Sequence, residues 1–349
     1  MSVETAGYYT MRVELDTRSE TIERPTMLRG IHGALVIYNP TSGRRRGARL
    51  GALEAASRAL KQAGIAAELA PSTAPGSATE LARRAVAEKR ELVIACGGDG
   101  TINEIVNGLA QSQIPLAVLP AGTANILAKE LGIPWDIPAA ARLIPGGTLR
   151  RIALGRVTSP PSSLRGIDRY FLCVGGAGPD GALVHAVDEK LKLRMGVLAY
   201  WAEGIRQLFI YPFPELHVKA AGREVRGTLL VVGRTKHYGG PFRITTEASL
   251  FEDSFELMVS TSRSRLRYLL DLPALWLGRL RGRPRIHYWK ATEVECLPAS
   301  NSTVFAQVDG EPVGALPLQF QIVPDALTLV LPAAEEPALP GVSPARAKD

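Results

Sequence analysis

Three short, unbroken apolar runs stand in the first third of the chain: Ala34-Leu35-Val36-Ile37-Tyr38, Leu92-Val93-Ile94-Ala95 and Leu116-Ala117-Val118-Leu119. Runs without alternation are what strands buried on both faces of a parallel sheet require. Behind the second run, Ile102, Ile105, Val106 and Leu109 recur at i, i+3, i+4 and i+7, the spacing of an amphipathic helix. Behind the third, Ile126, Leu127 and Leu131 begin another helix, which Gly132 and Pro134 stop. Alternating strands and helices predict right-handed crossovers and a ligand crevice at the carboxyl ends of the strands. After Arg151 the period changes. Strand-like segments follow at 170–174, 229–233, 256–261, 293–297, 303–308 and 319–323, many separated by turn residues such as Ala221-Gly222 and Asp309-Gly310. That spacing fits an antiparallel sandwich.

Each of the three runs ends in a glycine-bearing turn: Asn39-Pro40-Thr41-Ser42-Gly43, Gly97-Gly98-Asp99-Gly100-Thr101 and Gly122-Thr123-Ala124-Asn125. A helix that opens on such a turn points unpaired N–H groups and the positive end of its dipole at it, which makes an anion site. Three along one sheet edge suggest a polyphosphate cradle, so a nucleotide is the leading ligand. For the first turn, simple chain reversal accounts for Asn39 and Gly43 equally well. In the second, Asp99 is not needed for turning; it is placed either to hold Mg²⁺ or to fix the loop. The fold class is α/β plus all-β: a Rossmann-like domain with a parallel sheet, then an antiparallel β-sandwich.

A length of 349 residues suits two domains, and 46% hydrophobic residues can fill two cores. Cys96, Cys173 and Cys296 lack metal-ligand or redox spacing and read as reduced, buried thiols. The five histidines do not cluster. No stretch resembles a secretory signal, and no window approaches the ~20 apolar residues of a membrane span. The net charge is +7 and the pI about 9.4, yet no nucleic-acid-binding module is recognisable. Seven arginines between Arg263 and Arg285 flank the apolar stretch 269–277, a candidate membrane-surface contact with a solvated helix as the alternative. Arg194, Tyr200, Trp201, Phe209 and Tyr211 lie in another amphipathic stretch. The tail at 333–349 reads as disordered.

Gly97-Gly98-Asp99-Gly100-Thr101-Ile102-Asn103-Glu104 and Leu119-Pro120-Ala121-Gly122-Thr123-Ala124-Asn125 resemble the diacylglycerol kinase catalytic-domain family, which includes sphingosine kinases and bacterial lipid kinases. Further matches are Gly176-Ala177-Gly178-Pro179-Asp180, Tyr238-Gly239-Gly240-Pro241, Phe255-Glu256-Leu257 and Val308-Asp309-Gly310-Glu311-Pro312. The GGDGT run alone also fits NAD kinases; the other motifs favour lipid kinases. P-loop and protein-kinase motif sets are missing. The resemblance implies an N-terminal extension at 1–32 and a nucleotide-binding domain at 33–147, completed by returning strands at about 315–332. It implies a β-sandwich lipid-substrate domain at 148–314, with the active site in the cleft between the two.

By resemblance, the activity is ATP- and Mg²⁺-dependent phosphorylation of a lipid alcohol, such as diacylglycerol or a sphingoid base, by a cytoplasmic enzyme visiting the membrane surface. A homodimer is left open. The alternatives are a NAD-kinase-like enzyme and a catalytically weakened nucleotide- or lipid-binding regulator. Asp309 matches the family's proton acceptor, with Glu311 orienting it or the metal; a hairpin turn is the other reading of Asp309-Gly310. Gly97, Gly98, Asp99, Gly100 and Thr101 are expected to cradle phosphates. Asn39, Ser72, Gly122 and Thr123 are expected at the nucleotide, as are Asn103, Glu104 and Asn125. A second, structural Mg²⁺ is implied at Ser249, Glu252 and Ser254. Two departures stand out: Ile126 and Ala153 occupy positions where the family often has Asp.

Overall fold

The chain's computed structural model describes residues 28–332 except 29, 44–45, 162–165, 188–202, 205, 208 and 241. The tail, most of the N-terminal extension, and Arg194, Tyr200 and Trp201 therefore lie outside the described residues. Of the extension, Leu28 and Ile31 are buried against the first core.

The unbroken apolar runs form β1 (Ala34–Tyr38), β3 (Leu92–Gly97) and β4 (Pro115–Pro120), all but fully buried. With β2 (Ala67–Pro71) they make the parallel order β2-β1-β3-β4. The connecting helices are α1 (Arg46–Gln62), α2 (Ser77–Ala87) and α3 (Asp99–Leu109). In α3 the predicted positions Ile102, Ile105, Val106 and Leu109 are all buried. Past β4 come the short α4 (Ile126–Glu130) and α5 (Ile137–Leu143).

The second half is built from antiparallel strands. β5 (Thr148–Thr158) pairs with β6 (Asp168–Phe171) and, along most of its length, with β18 (Leu318–Leu331). β18 also pairs with β15 (Glu293–Pro298), which leads on to β8 (Leu216–Ala220) and β9 (Arg223–Gly227). Beyond a register shift between Val323 and Leu327, β18 runs parallel beside β4. A bulge of this kind bends a strand, so one strand serves both halves of a ten-stranded sheet.

A six-stranded antiparallel sheet covers the outer half of the first. It contains β7 (Val174–Ala177), β10 (Leu229–Gly233), β13 (Phe255–Ser260), β14 (Ile286–Ala291), β16 (Phe305–Val308) and β17 (Glu311–Ala315). The segment 170–174, expected as one strand, is two. β6 belongs to the large sheet and β7 to the small one. The N–H groups of Leu172, Cys173 and Val174 bond to the Asp309 carboxylate rather than to a neighbouring strand. The cleft is also flanked by two helices, α6 (Pro179–Ala186) and α7 (Arg265–Trp276), and by a small antiparallel ribbon of β11 (His237–Tyr238) and β12 (Phe242–Arg243).

Between the sheets, Phe171 is fully buried, stacked on Phe255 at 5.7 Å and edge-on to Phe320 at 6.1 Å. A Cβ on Gly155 would stand 2.3 Å from its ring, so the partner strand is already as close as it can come. Phe171→Ala is therefore expected to leave an unfilled cavity and cost about 3–5 kcal/mol in equilibrium urea denaturation.

Candidate active site

The glycine turns meet at the carboxyl ends of β1, β3 and β4 and form one wall of a cleft of about 1310 Å³. Gly98 and Gly122 touch: a Cβ on Gly122 would lie 2.4 Å from the Gly98 Cα, so a side chain there would push the second and third glycine turns apart. Asn39 closes its own turn by accepting from the Thr41 N–H at 2.8 Å and reaches the Thr101 hydroxyl at 3.5 Å. Ser72 lines the cleft and shares a hydrogen bond with Ser77.

Not every residue expected at the nucleotide faces the cleft. Asn125 has φ 45° and is fully buried, and its amide bonds back to Gly122 N and O, which locks the third turn from below. Gly97 likewise lies under the lining and takes the Ala121 N–H. Glu104 lines the cleft, but its carboxylate accepts from the Gly76 and Ala78 N–H groups, pinning the start of α2. Asp99 accepts from Ile126 N–H at 2.7 Å. Burial raises its pKa to about 6, and the neighbouring Asp309 charge pushes the same way.

Asp309 begins the two-residue hairpin between β16 and β17, with positive φ at both Asp309 and Gly310. The turn is a hairpin, and it also aims a carboxylate inward. Oδ1 accepts from Cys173 and Val174 N–H, and Oδ2 from Leu172 N–H and the Asn103 amide, all at 2.8–3.0 Å. Asn103 in turn receives the guanidinium of Arg169, at 2.7 Å from Nη2. Among the described residues lining the cleft, Arg169 is the only Arg or Lys, and no motif flagged it. Glu311 comes up to the second turn; a Cβ on Gly100 would stand 3.0 Å from its Oε1.

The other wall is apolar, with Leu183, Leu229, Met258, Leu275 and Trp276 among its residues. One acid is sunk in it. Asp180 is buried, accepts from Gln307 at 2.7 Å and from the Tyr238 hydroxyl, and has its pKa raised to about 7 by desolvation, against the opposing Gln307 bond.

Asp99 suits Mg²⁺: a desolvated carboxylate whose pKa is raised beside a second one is what a hard cation would neutralise. The turn at Ser249, Glu252 and Ser254 does not suit a cation. The Glu252 carboxylate pairs with Lys290 at 2.5 Å, and the Ser249 carbonyl accepts the Glu252 N–H. The carbonyls of Leu250 and Glu252 accept from the fully buried Arg234, which also bonds to the Ala153 carbonyl. Burial lowers the Arg234 pKa to about 10. Among the described residues, no group of three or more His, Cys, Asp or Glu is placed to hold a metal.

The raised acids fix a sign. Between pH ~4 and ~7 the unfolded chain releases the Asp180 proton while the folded one keeps it, so stability falls as pH rises through that window. Asp180→Asn is expected to gain on the parent by up to ~1.4 kcal/mol per pH unit across it and to keep a constant lead above. Chemical denaturation at pH 4, 5.5, 7 and 8 checks this.

Residues 33–157 match the family model of the diacylglycerol kinase catalytic domain, and residues 174–331 match the YegS C-terminal NAD kinase beta sandwich-like domain. The chain is 32% identical over 304 residues to the diacylglycerol kinase of Bacillus subtilis (strain 168), covering 86% of this chain and 96% of that one. It is 30% identical over 293 residues to that of Staphylococcus aureus (strain MRSA252), covering 82% and 88%. A crystal structure of a diacylglycerol kinase from Bacillus anthracis str. Sterne superposes with a TM-score of 0.63 at 19% identity, covering 86% of this chain and 97% of that one. Sequence and fold agree: this chain belongs to the diacylglycerol kinase family.

Proposed function

We propose that the protein is an ATP- and Mg²⁺-dependent lipid kinase that transfers a phosphoryl group to the hydroxyl of diacylglycerol or a related lipid alcohol. It is read as a cytoplasmic enzyme working at the membrane surface. The observation that carries this is the two-sided cleft. Helix-opening glycine turns and carboxylates line one wall, and an apolar chamber lines the other. Among the described residues no helix is long and apolar enough to cross a membrane.

In this reading the N–H groups of the second and third turns hold the phosphates. Asp99 would hold Mg²⁺, whose chemistry when bound is to neutralise phosphate charge. The lipid hydroxyl gives its proton to a carboxylate as the new O–P bond forms and ADP leaves. Both oxygens of Asp309 are already occupied by four N–H donors, two on each, which leaves the carboxylate no open position to turn toward a substrate hydroxyl. Glu311, set against Gly100 at the start of α3, is the better acceptor, with Asp309 as the positioning residue. This reverses the roles expected from sequence.

Purified protein, labelled ATP, Mg²⁺ and a panel of lipid alcohols in mixed micelles provide the test. A lipid phosphate is expected; nucleotide binding without any product would favour the regulator reading, for which Ile126 in the third turn is the specific observation. Glu311→Gln is expected to lower kcat by ~10²–10⁴ with ATP affinity and melting temperature near those of the parent. Asp309→Asn is expected to lower stability as well, by about 2 kcal/mol or more, because an amide nitrogen would face N–H donors. Calorimetry and thermal melts separate the two roles.

A further inference from the structure

Helix α7 is amphipathic in the inverted sense. Its polar residues face the protein: Asp271 pairs with Arg267 at 3.8 Å and with Arg283 at 3.1 Å, and the Tyr268 hydroxyl meets Thr228 at 2.9 Å. Much of its apolar surface faces outward, although Ala274 is buried. Leu266, Leu269, Leu270, Trp276 and Leu277 follow helical spacing and are 36–64% exposed. A globular helix normally turns that stripe to the core. Phe209 and Ile210 are also more than half exposed. They precede Tyr211, whose ring packs on Phe213, itself stacked on Tyr268 of α7 at 4.7 Å.

Charge surrounds the patch unevenly. Of the seven arginines at 263–285, Arg263 pairs with Glu215, Arg281 with Glu247 and Glu256, and Arg267 and Arg283 with Asp271. Arg265, Arg279 and Arg285 are in no ion pair among the described residues. They stand at the two ends of the stripe. Leu272, Leu275 and Trp276 also line the cleft, so the helix is at once outer surface and wall of the apolar chamber. The Trp276 ring meets Phe242, across the cleft mouth, at 5.8 Å.

We propose that this face of α7, with Phe209 and Ile210, lies in the surface of a bilayer containing anionic lipid and delivers the lipid substrate sideways past Trp276 into the cleft. This rests on the lipid-kinase reading and names the surface that reading needs. A bilayer supplies both an apolar layer for the leucines and Trp276 and counter-charge for arginines without acidic partners. A second copy of this chain would cover the leucines but would bring the same arginines together. The apolar stripe, more than the basic residues, then carries the binding, since four of the seven arginines are already paired.

The test uses the full chain with Leu266, Leu270 and Leu277 all changed to Gln, none of which lines the cleft. Co-sedimentation with phosphatidylcholine vesicles, with and without phosphatidylglycerol, is expected to show binding weakened by roughly a hundredfold. Circular dichroism and turnover of a monomeric short-chain diacylglycerol are expected to match the parent. Unchanged vesicle binding overturns the proposal. So does a parent that is dimeric by light scattering while the variant is monomeric, which would make the face a contact between copies. If neither protein phosphorylates the short-chain substrate, the kinase reading fails, and the vesicle result still decides the docking face.

Discussion

The carboxylate of Asp309 is the point on which the rest of the molecule is tied. Its four hydrogen bonds tie the hairpin that carries it to two other places: the crossing at residues 172–174 between the two sheets, which gives three, and Asn103 on the helix that opens on the second glycine turn, which gives one. Asp309 is half-buried, and taking a carboxylate even partly out of water is tolerable only when such donors replace it. Three of the donors here are main-chain N–H groups that a strand would otherwise pair, so the chain leaves one sheet and joins the other where the acid is held. The parallel-sheet half and the sandwich half are thereby set against each other by one side chain, and Glu311, two residues further on, inherits its position from that knot.

Charge is distributed in a matching way. The cleft is rich in carboxylates and poor in cations, and two of its acids, Asp99 and Asp180, have their pKa values pushed up by desolvation. Such a site is held under electrostatic load until positive charge arrives. The reverse holds behind the cleft, where the buried guanidinium of Arg234 is met by carbonyl oxygens. Where the family resemblance implies a divalent ion, this chain has built in side-chain cations of its own.

Much of this was legible in the sequence. The strands β1, β3 and β4 and the buried face of α3 follow from apolar runs and helical spacing alone, because both express local rules. The break in 170–174 was not legible: nothing in Tyr170-Phe171-Leu172-Cys173-Val174 says that three of its N–H groups will serve an acid far along the chain. Strand β5 hides behind Arg150, Arg151 and Arg156, whose heads escape to a carbonyl and a threonine, an aromatic face or an acid while the backbone pairs with β18. The motifs lead one to expect Asn125 and Glu104 at the ligand, and in the structure the side chains of both bond to backbone. Motif residues that shape a turn and residues that touch what the turn holds look alike in sequence. Arg169 had no motif at all. The inverted helix α7 shows the same limit, since periodicity reveals that a helix has two faces and only packing reveals which one is inside.

The sharing of β18 between the two halves bears on how the chain acquires its structure. The edge of β4, with Leu116 and Val118 buried in the finished molecule, is closed by a strand that begins only at Leu318. During synthesis from the N-terminus, the parallel sheet must wait with that edge open until β18 has left the ribosome. An unpaired, flat, apolar strand edge is the kind of surface that recruits other chains. The sandwich and the parallel sheet are therefore closed together, and β18 is the strand that shuts both.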